Sequence, residues 1–461
     1  MGLATLICFA LSFTLAIVGS AQRVFVLTDI SNEPDDTMSL VRFLLYSNEF
    51  DVEGIVATTS TWLRNTTAPD QIKAVMNAYG EVLSNLNVHA AGYPSLENQL
   101  SKVRSGLPVY GLQGVGEGKD SEGSDLLIEV ADKEDPEGRP LWVPTWGGAN
   151  VLAQALWKVS NTRSPEEVKK FVSKLRVYTI SDQDDSGVWI RRNYPDLFYI
   201  VSIHAFSAYD GATWGGISTP TPGADQFIVS PEWLKTNIQI GPYGKMYPDI
   251  AFIMEGDTPS FLYLIPNGLG VPEQPSYGTW GGRYESIDGI SSIFSDVADT
   301  VVSKVDGNTY TTNRATIWRW REAFQNDFAA RMQWTLSSNF SACNHQPIVI
   351  VNGQDGTLPV EISAKGGETI TVDASESHDP DAGDELSFNW FQYKEPSSKR
   401  ASGDGGPAAP DFDFHSTQNS TSLQVTIPEG IKQGTYHIIL EVSDSGTPKL
   451  FRYRRVLITA A

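Results

Sequence analysis

From Arg23 to about Asn339, short apolar stretches alternate with amphipathic ones. Residues 24–27, 52–57, 141–144, 175–180 and 197–203 are short, apolar and partly β-branched, and each reads as a buried strand. Between them, Ile72, Val75, Met76, Tyr79, Val82 and Leu86 recur at helical spacing behind Pro69, which fits a first turn. Residues 150–159, 187–193 and the aromatic-rich 317–336 read as further helices. Strands that alternate with helices predict a Rossmann-like α/β unit, a mostly parallel sheet covered on both faces.

In such a sheet the carboxyl ends of the strands share one edge, and ligands bind there. The first strand runs into Asp29, Glu33, Asp35 and Asp36, four acids within eight positions. The second ends in Thr58-Thr59-Ser60-Thr61-Trp62, and the third in Trp146-Gly147-Gly148-Ala149-Asn150, a turn whose glycines admit close backbone approach. The fourth ends in Ser181-Asp182-Gln183-Asp184-Asp185, and a later apolar run, 250–254, ends in Glu255-Gly256-Asp257-Thr258-Pro259. Read as strand ends, these bring acids that are distant in sequence onto one edge. Gathered carboxylates repel unless a cation or shared proton offsets them, and hard oxygen ligands favour Ca²⁺ or Mg²⁺. The plainer alternative is helix capping: Asp35-Asp36, Asp184-Asp185 and Asp257-Thr258-Pro259 are all respectable helix starts. It leaves Asp29, on the strand side, unexplained.

The chain has 461 residues, enough for more than one domain, and 41% are hydrophobic, enough for a sizeable core. A net charge of −21 argues against nucleic acid and anionic membranes, which need basic patches, but identifies no partner. Residues 1–21 carry no charged side chain, and an apolar stretch over 3–18 precedes Gly19-Ser20-Ala21. This predicts a secretory signal peptide cleaved after Ala21 and an extracellular protein with no membrane segment. An uncleaved anchor is the alternative, and the stretch is short for one. Cleavage removes Cys8 and leaves Cys343 alone, so no internal disulfide is available. Sequons at Asn65, Asn339 and Asn419 fit a glycosylated secreted protein.

The texture changes near residues 341–347. Beyond it, about seven short strands separated by Gly, Pro, Asp and Ser clusters predict an all-β immunoglobulin-like sandwich, with Trp390 a core aromatic. The expected division is therefore signal peptide at 1–21, α/β domain at 22–343 and sandwich at 344–461. Residues 397–410 read as a flexible loop. His378-Asp379-Pro380-Asp381-Ala382-Gly383-Asp384 resembles the Asp-Pro-Asp loop of polycystic-kidney-type and cadherin-like sandwiches. It reads as a plain turn, with a weak Ca²⁺ site the alternative.

Residues 24–92 resemble the nucleoside hydrolases. Their signature is a strand, then Asp-x-Asp-Pro-Gly-x-Asp-Asp, a helix and a strand of the Gly-Val-Thr-Thr type. The counterparts here are Asp29, Asp35-Asp36 and Gly54-Ile55-Val56-Ala57-Thr58-Thr59. Asn87-Val88-His89-Ala90-Ala91-Gly92 looks like the family's following strand, and residues 143–156 resemble its Gly-Pro-Leu-Thr-Asn turn and helix. More similar still is a nucleoside-hydrolase-like family described as cellulose-binding. Ser181-Asp182-Gln183-Asp184-Asp185-Ser186-Gly187, Glu255-Gly256-Asp257-Thr258-Pro259-Ser260-Phe261 and Trp280-Gly281-Gly282-Arg283-Tyr284-Glu285 look like its hallmarks, and the resemblance spans nearly the whole mature chain.

The resemblance implies a nucleoside-hydrolase-type sheet with Ca²⁺ at the pocket base. Asp29, Asp36 and Asp257 match carboxylate ligands, Ala149 a backbone-carbonyl ligand, and Asp35 an acid that holds a sugar hydroxyl. Asp29 would also take the proton of the attacking water. Asp184 and Asp185 would face the developing positive charge or further hydroxyls, and Asn150 is a candidate substrate contact. Three departures weaken a nucleoside substrate. Between Asp29 and the Asp35-Asp36 pair lie two residues more than between the signature's second Asp and its pair. Gly256 replaces a His used as leaving-group acid, and Trp62 stands near a ribose-contacting Asn. Glu255, as acid or as outer support, and His204 are then the candidates to activate the leaving group. Trp146 and Trp280, beside Gly pairs, are candidate sugar-stacking aromatics. Arg283 either pairs with a pocket carboxylate or pins its loop. The expectation is a secreted Ca²⁺-dependent hydrolase of a glycosidic or N-ribosidic bond, its partner a carbohydrate, a nucleoside-type molecule or a cell-wall polysaccharide such as cellulose. The alternative is a polysaccharide-binding protein that keeps the fold without catalysis.

Overall fold

The computed structural model describes residues 21–205, 208–397 and 409–460. All of the expected signal peptide but Ala21, and most of the loop expected at 397–410, lie outside them. The α/β unit is built on one sheet whose strands are Gln22–Thr28 (β1), Phe50–Ala57 (β2), Val103–Ser105 (β3), Leu141–Thr145 (β4), Leu175–Ser181 (β5), Phe198–Ser202 (β6), Tyr284–Ser286 (β7) and Ile293–Asp296 (β8). Their order is β3-β2-β1-β4-β5-β6-β8-β7. Every neighbouring pair is parallel except β7 with β8. Side chains alternate between the faces, as the two-residue period of a strand requires. Val24 and Val26 enter one core with Ile55, Trp142 and Tyr178, and Phe25 and Leu27 enter the other with Val56, Leu141 and Val143.

Three expected strands are absent. Residues 87–89 are the last turn of the helix Pro69–His89, whose apolar spacing carries it past the point where the family's strand was expected. Val103–Ser105 takes that place beside β2. The run 250–254 forms no strand, so Asp257 arrives on a loop ahead of the short helix Pro259–Leu262. Residues 348–351 make only isolated bridges, Ile348 to His378 and Val351 to Gln354.

A hairpin of Asp299–Val302 (β9) and Thr309–Thr312 (β10) precedes the helix Arg321–Trp334. The C-terminal sandwich faces β11-β17-β16-β13 against β12-β15-β14. These strands are Val360–Ala364 (β11), Thr369–Asp373 (β12), Ser387–Tyr393 (β13), Asp413–Phe414 (β14), Ser422–Thr426 (β15), Gly434–Ser443 (β16) and Phe451–Ala460 (β17). Its own core holds Val372, Leu423, Val425, Ile438, Leu440 and Val456.

The sandwich and the α/β unit share a second core. Tyr393, Ile439, Phe451 and Tyr453 pack in one cluster with Trp280, Trp320 and Phe324. The backbone joins too: the N–H groups of Tyr453 and Arg455 donate to the carbonyls of Asn267 and Gly268 at 2.9 and 3.1 Å. The loop at 267–268 thus continues the edge of β17 that β11 leaves unpaired. Among the described residues no helix is long and apolar enough to cross a membrane.

Candidate functional site

β1 is the switch point of the sheet, with β2 on one side and β4 on the other, and a cavity opens beyond its carboxyl end. The cavity measures about 520 Å³. Asp29 enters from the end of β1, and Asp35 and Asp36 from the first turn of the helix Pro34–Leu45 (α1), where the helix dipole also favours acids. Asp257 enters from the loop ahead of Pro259. Single carboxylate oxygens of Asp35, Asp36 and Asp257 lie within 4.8 Å of one another. Asp29 is outside that trio and lines the adjoining wall. It packs on the turn after β4 so closely that a Cβ at Gly147 would stand 2.6 Å from its Oδ1.

Burial pushes the Asp29 carboxyl up to about 6. Burial and the charges of Glu33 and Asp29 push Asp35 to about 7. Asp36 and Asp257 are held well above the usual carboxylate range, by burial first and then by acidic neighbours, Asp29 and Asp35 for Asp36, and Asp36 and Asp35 for Asp257. Thr28 Oγ1 donates to Asp36 Oδ1, while Oδ2 of Asp257 is buried without any hydrogen-bond partner. Among the described residues no Lys or Arg forms an ion pair with any of the four. Buried carboxylates with an orphaned oxygen and no Lys or Arg paired to them are a donor set suited to a hard divalent cation.

Other candidates stand elsewhere. Glu255 is fully buried: Arg42 Nη1 lies 2.8 Å from its Oε2, and the Tyr247 hydroxyl donates to its Oε1 at 2.7 Å. It does not line the cavity, and these two bonds make it a support for the acid loop. Trp146 and Trp280 are core residues with no exposure. Trp146 packs on Phe43 and Phe261 and donates to Ser260 Oγ at 2.8 Å, and Trp280 packs on Phe324 and Tyr453. A Gly pair beside an indole marks tight packing here, not a cavity mouth. Arg283 pins its loop through Asp299 Oδ1 at 2.7 Å.

Asp184 and Asp185 lie behind the Gly147-Gly148 turn and do not line the cavity. Asp184 Oδ1 accepts the Ser186 N–H at 2.8 Å, as a helix start does, and its Oδ2 has no partner. Burial pushes this carboxyl to about 7. Asp185 Oδ1 accepts the Leu112 N–H at 2.8 Å. Ala149 and Asn150 are also behind the wall. The Ala149 carbonyl accepts the Ala153 N–H at 2.9 Å, and Asn150 ties together Thr58, Thr59 and Val109. His204 bonds Ser181 Oγ at 2.7 Å and the Ala205 carbonyl at 2.8 Å.

The cavity recruits residues that strand-end reasoning passed over. Asn32 lines it from the loop after β1, as does Glu33, the one acid of that run given no role from the sequence, and burial raises the Glu33 carboxyl. Gln183 lines it too, where only its acidic neighbours stood out. Tyr209, Trp214, Phe252 and Arg314 come from irregular segments. In the sandwich, Asp379, Asp381 and Asp384 form a second acidic group. Asp381 is engaged by His345, through its N–H at 2.6 Å and its Nδ1 at 2.9 Å.

Residues 23–284 match the model of a family described as "Cellulose-binding Sde182, nucleoside hydrolase-like domain". This chain belongs to that family. The Sde182 resemblance continues into the sandwich, where residues 369–460 match "Cellulose-binding protein Sde0182, C-terminal domain". Among solved structures, a nucleoside hydrolase-related protein from Saccharophagus degradans, described as associated with carbohydrate metabolism, is 36% identical with a TM-score of 0.80. The alignment covers 96% of this chain and 100% of that one, so the fold and the order of its parts are those of the Sde182 family. The effector protein XOO4466 is 11% identical over 69% of this chain and 95% of its own, with a TM-score of 0.32. A search of curated proteins found no match.

Proposed function

We propose that this chain binds a carbohydrate over the acids at the end of β1 and, with a divalent cation, hydrolyses a glycosidic bond there. The observation behind this is the trio Asp35, Asp36 and Asp257, whose oxygens lie within 4.8 Å at the base of a cavity that Asp29 also lines. Asp36 and Asp257 would hold the cation, with Asp35 or Asp29 completing the set, and Ca²⁺ suits all-carboxylate oxygen ligands. When bound, such an ion lowers the pKa of a water molecule. Asp29, which lines the cavity beside the trio, would accept the proton of the attacking water as that water's oxygen bonds to the anomeric carbon. The bond to the leaving oxygen would break as that oxygen takes a proton from a cavity carboxyl or from solvent, and the carboxylates around the cavity would face the positive charge that develops on the sugar. Asp35 accepts hydrogen bonds from sugar hydroxyls. The Sde182 and S. degradans descriptions support a carbohydrate over a free nucleoside.

One observation favours a binding-only role. Glu255, the acid expected to protonate a leaving group, is locked against Arg42, which leaves that task to Glu33 or Asp35 on the acidic floor, where a bound cation would favour their ionised forms. Release of reducing ends from a glycan panel and of free base from nucleosides, with Ca²⁺, separates the two readings. Turnover that Asp29→Ala abolishes supports the hydrolase. Retained sugar binding with no turnover on any substrate supports the binding protein.

We also place the chain outside the cell, with residues 1–21 as leader. The asparagines of all three sequons, Asn65, Asn339 and Asn419, are exposed, as glycan attachment requires. A mass shift on endoglycosidase treatment of the secreted protein would test this, and an unmodified intracellular product would refute it.

A further inference from the structure

We propose that Trp62, Tyr209 and Trp214 form a stacking wall for a second sugar ring, so that the cavity takes the terminal units of a β-linked glucan chain. This rests on the carbohydrate reading above and adds the subsite beyond the acidic floor. Three aromatic rings run inward from the mouth. Trp62 is 49% exposed, and its Nε1–H donates to the Tyr209 hydroxyl at 3.3 Å. The Tyr209 ring lies 6.5 Å from Trp62 and 5.8 Å from Trp214, centre to centre. Trp214 is 8% exposed and fixed from behind, its Nε1–H donating to Ser181 Oγ at 2.9 Å. Ser181 Oγ in turn meets His204 Nε2 at 2.7 Å, and the His204 ring packs edge-on against Tyr209 at 5.2 Å. His204 is a positioning residue for this wall.

Gly256 keeps the wall accessible. A Cβ at that position would stand 2.9 Å from Asp35 Oδ2 and 3.4 Å from Trp214 Cζ3, within the gap between floor and wall. A larger side chain there would occupy the space next to the first sugar. The rest of the lining selects the ligand's chemistry. Asp29, Glu33, Asp35, Asp36, Asp210 and Asp257 make it rich in acceptors, which suits a molecule covered in O–H donors. A β-linked glucose unit fits both demands. Its hydroxyls are equatorial and point outward to acceptors, while both ring faces are C–H surfaces that lie flat on an aromatic ring. A nucleobase offers fewer donors. The volume of about 520 Å³ lies within the range for a small-ligand pocket, which gives room for the few units at a chain end.

Titration calorimetry with glucose, cellobiose, cellotriose and inosine, in Ca²⁺, tests the proposal on the full chain. Cellobiose should bind about tenfold more tightly than glucose, a gain expected of one stacked ring. Trp62→Ala should erase that gain while leaving glucose affinity within about twofold, and Gly256→His should erase it as well. Trp62 is half-exposed, so its variant should keep the wild-type melting curve. The wall is overturned if Trp62→Ala preserves the cellobiose-to-glucose ratio, or if inosine outcompetes cellobiose. In the first case, loss of glucose binding in Asp36→Ala would leave the carbohydrate reading standing. Absence of binding to every sugar would overturn both.

Discussion

Arg42 Nη1 lies 2.8 Å from Glu255 Oε2, and neither side chain is exposed. Arg42 comes from α1, the helix whose first turn carries Asp35 and Asp36. Glu255 comes from the loop that carries Asp257, and it holds a left-handed backbone with φ of 55°. The pair therefore ties the two acid-bearing segments to each other. Arg42 is held further by Gln325 Oε1 at 2.9 Å and by the ring of Phe328, 4.5 Å from its guanidinium carbon.

Glu255→Ala should destabilise the protein by about 3–5 kcal/mol, because Arg42 is left buried without its partner. Urea unfolding measures this. Glu255→Gln keeps one acceptor for Arg42 and can donate its NH2 to the Tyr247 oxygen if that hydroxyl turns, so it should cost less. If Glu255 acted as the leaving-group acid, Glu255→Gln would instead remove one limb of the pH–rate profile at unchanged stability.

The acid floor should make metal-free stability fall as pH rises. Unfolded aspartates ionise near pH 3.9. In the fold, Asp29 reaches about 6 and Asp35 about 7, both chiefly through burial. The folded state therefore binds more protons between roughly pH 4 and 7, and stability present below that window is lost across it. In chelator, the melting temperature should be lower at pH 7.5 than at pH 5. Ca²⁺ should reverse most of that drop, since a cation favours the ionised carboxylates. An equal drop with and without Ca²⁺ would argue against a cation at this floor.

The carboxylates should separate by role. Asp36→Asn and Asp257→Asn should each weaken Ca²⁺ binding by about tenfold or more, read by calorimetry. Asp29 lies outside the close trio, so Asp29→Asn should reduce turnover far more than it reduces Ca²⁺ affinity. The same loss of affinity in Asp29→Asn would return it to the ligand set.

Tyr393 of the sandwich donates its hydroxyl to Asp299 Oδ2 at 2.6 Å, beside Arg283 and Arg319. Burial alone would raise the Asp299 carboxyl, and the two guanidiniums hold it below its usual range. Tyr393→Phe should cost about 1.5–3 kcal/mol, the value of a hydrogen bond to a charged group. Chemical denaturation of the full chain checks this. A loss below about 0.5 kcal/mol would mean that the hydroxyl finds water equally well.

The parallel sheet and the sandwich were readable because period-two burial and strand–helix alternation are local signals. Val24 to Leu27 could hardly be anything but a buried strand. Asp29, Asp35, Asp36 and Asp257 were readable as candidates because helix capping explains the last three one by one but leaves Asp29, on the strand side, without a neutral explanation. The same rule misplaced Asp184 and Asp185, since sharing an edge does not mean sharing a cavity: the Gly147-Gly148 turn stands between. It also overvalued Glu255, whose partner Arg42 is 213 positions away and invisible to any local pattern. Tyr209 and Phe252 reach the cavity from segments without regular periodicity. Nothing short of the fold places them there.

The way β17 is completed has a consequence for synthesis. Leu269 offers its carbonyl to Arg455 Nε at 2.8 Å, and Tyr277 to Arg455 Nη2 at 2.8 Å, next to the backbone bonds from Asn267 and Gly268. A ribosome makes residues 267–277 long before residue 455. Until β17 emerges, these carbonyls and the apolar face of Trp280 wait in water, so the nascent α/β unit carries an open seam. Chains arrested before residue 450 should be cut by protease at 267–277, and chains carrying the whole sandwich should resist. The cavity at the end of β1 would then reach its working shape only after translation has passed the last strand of the sandwich.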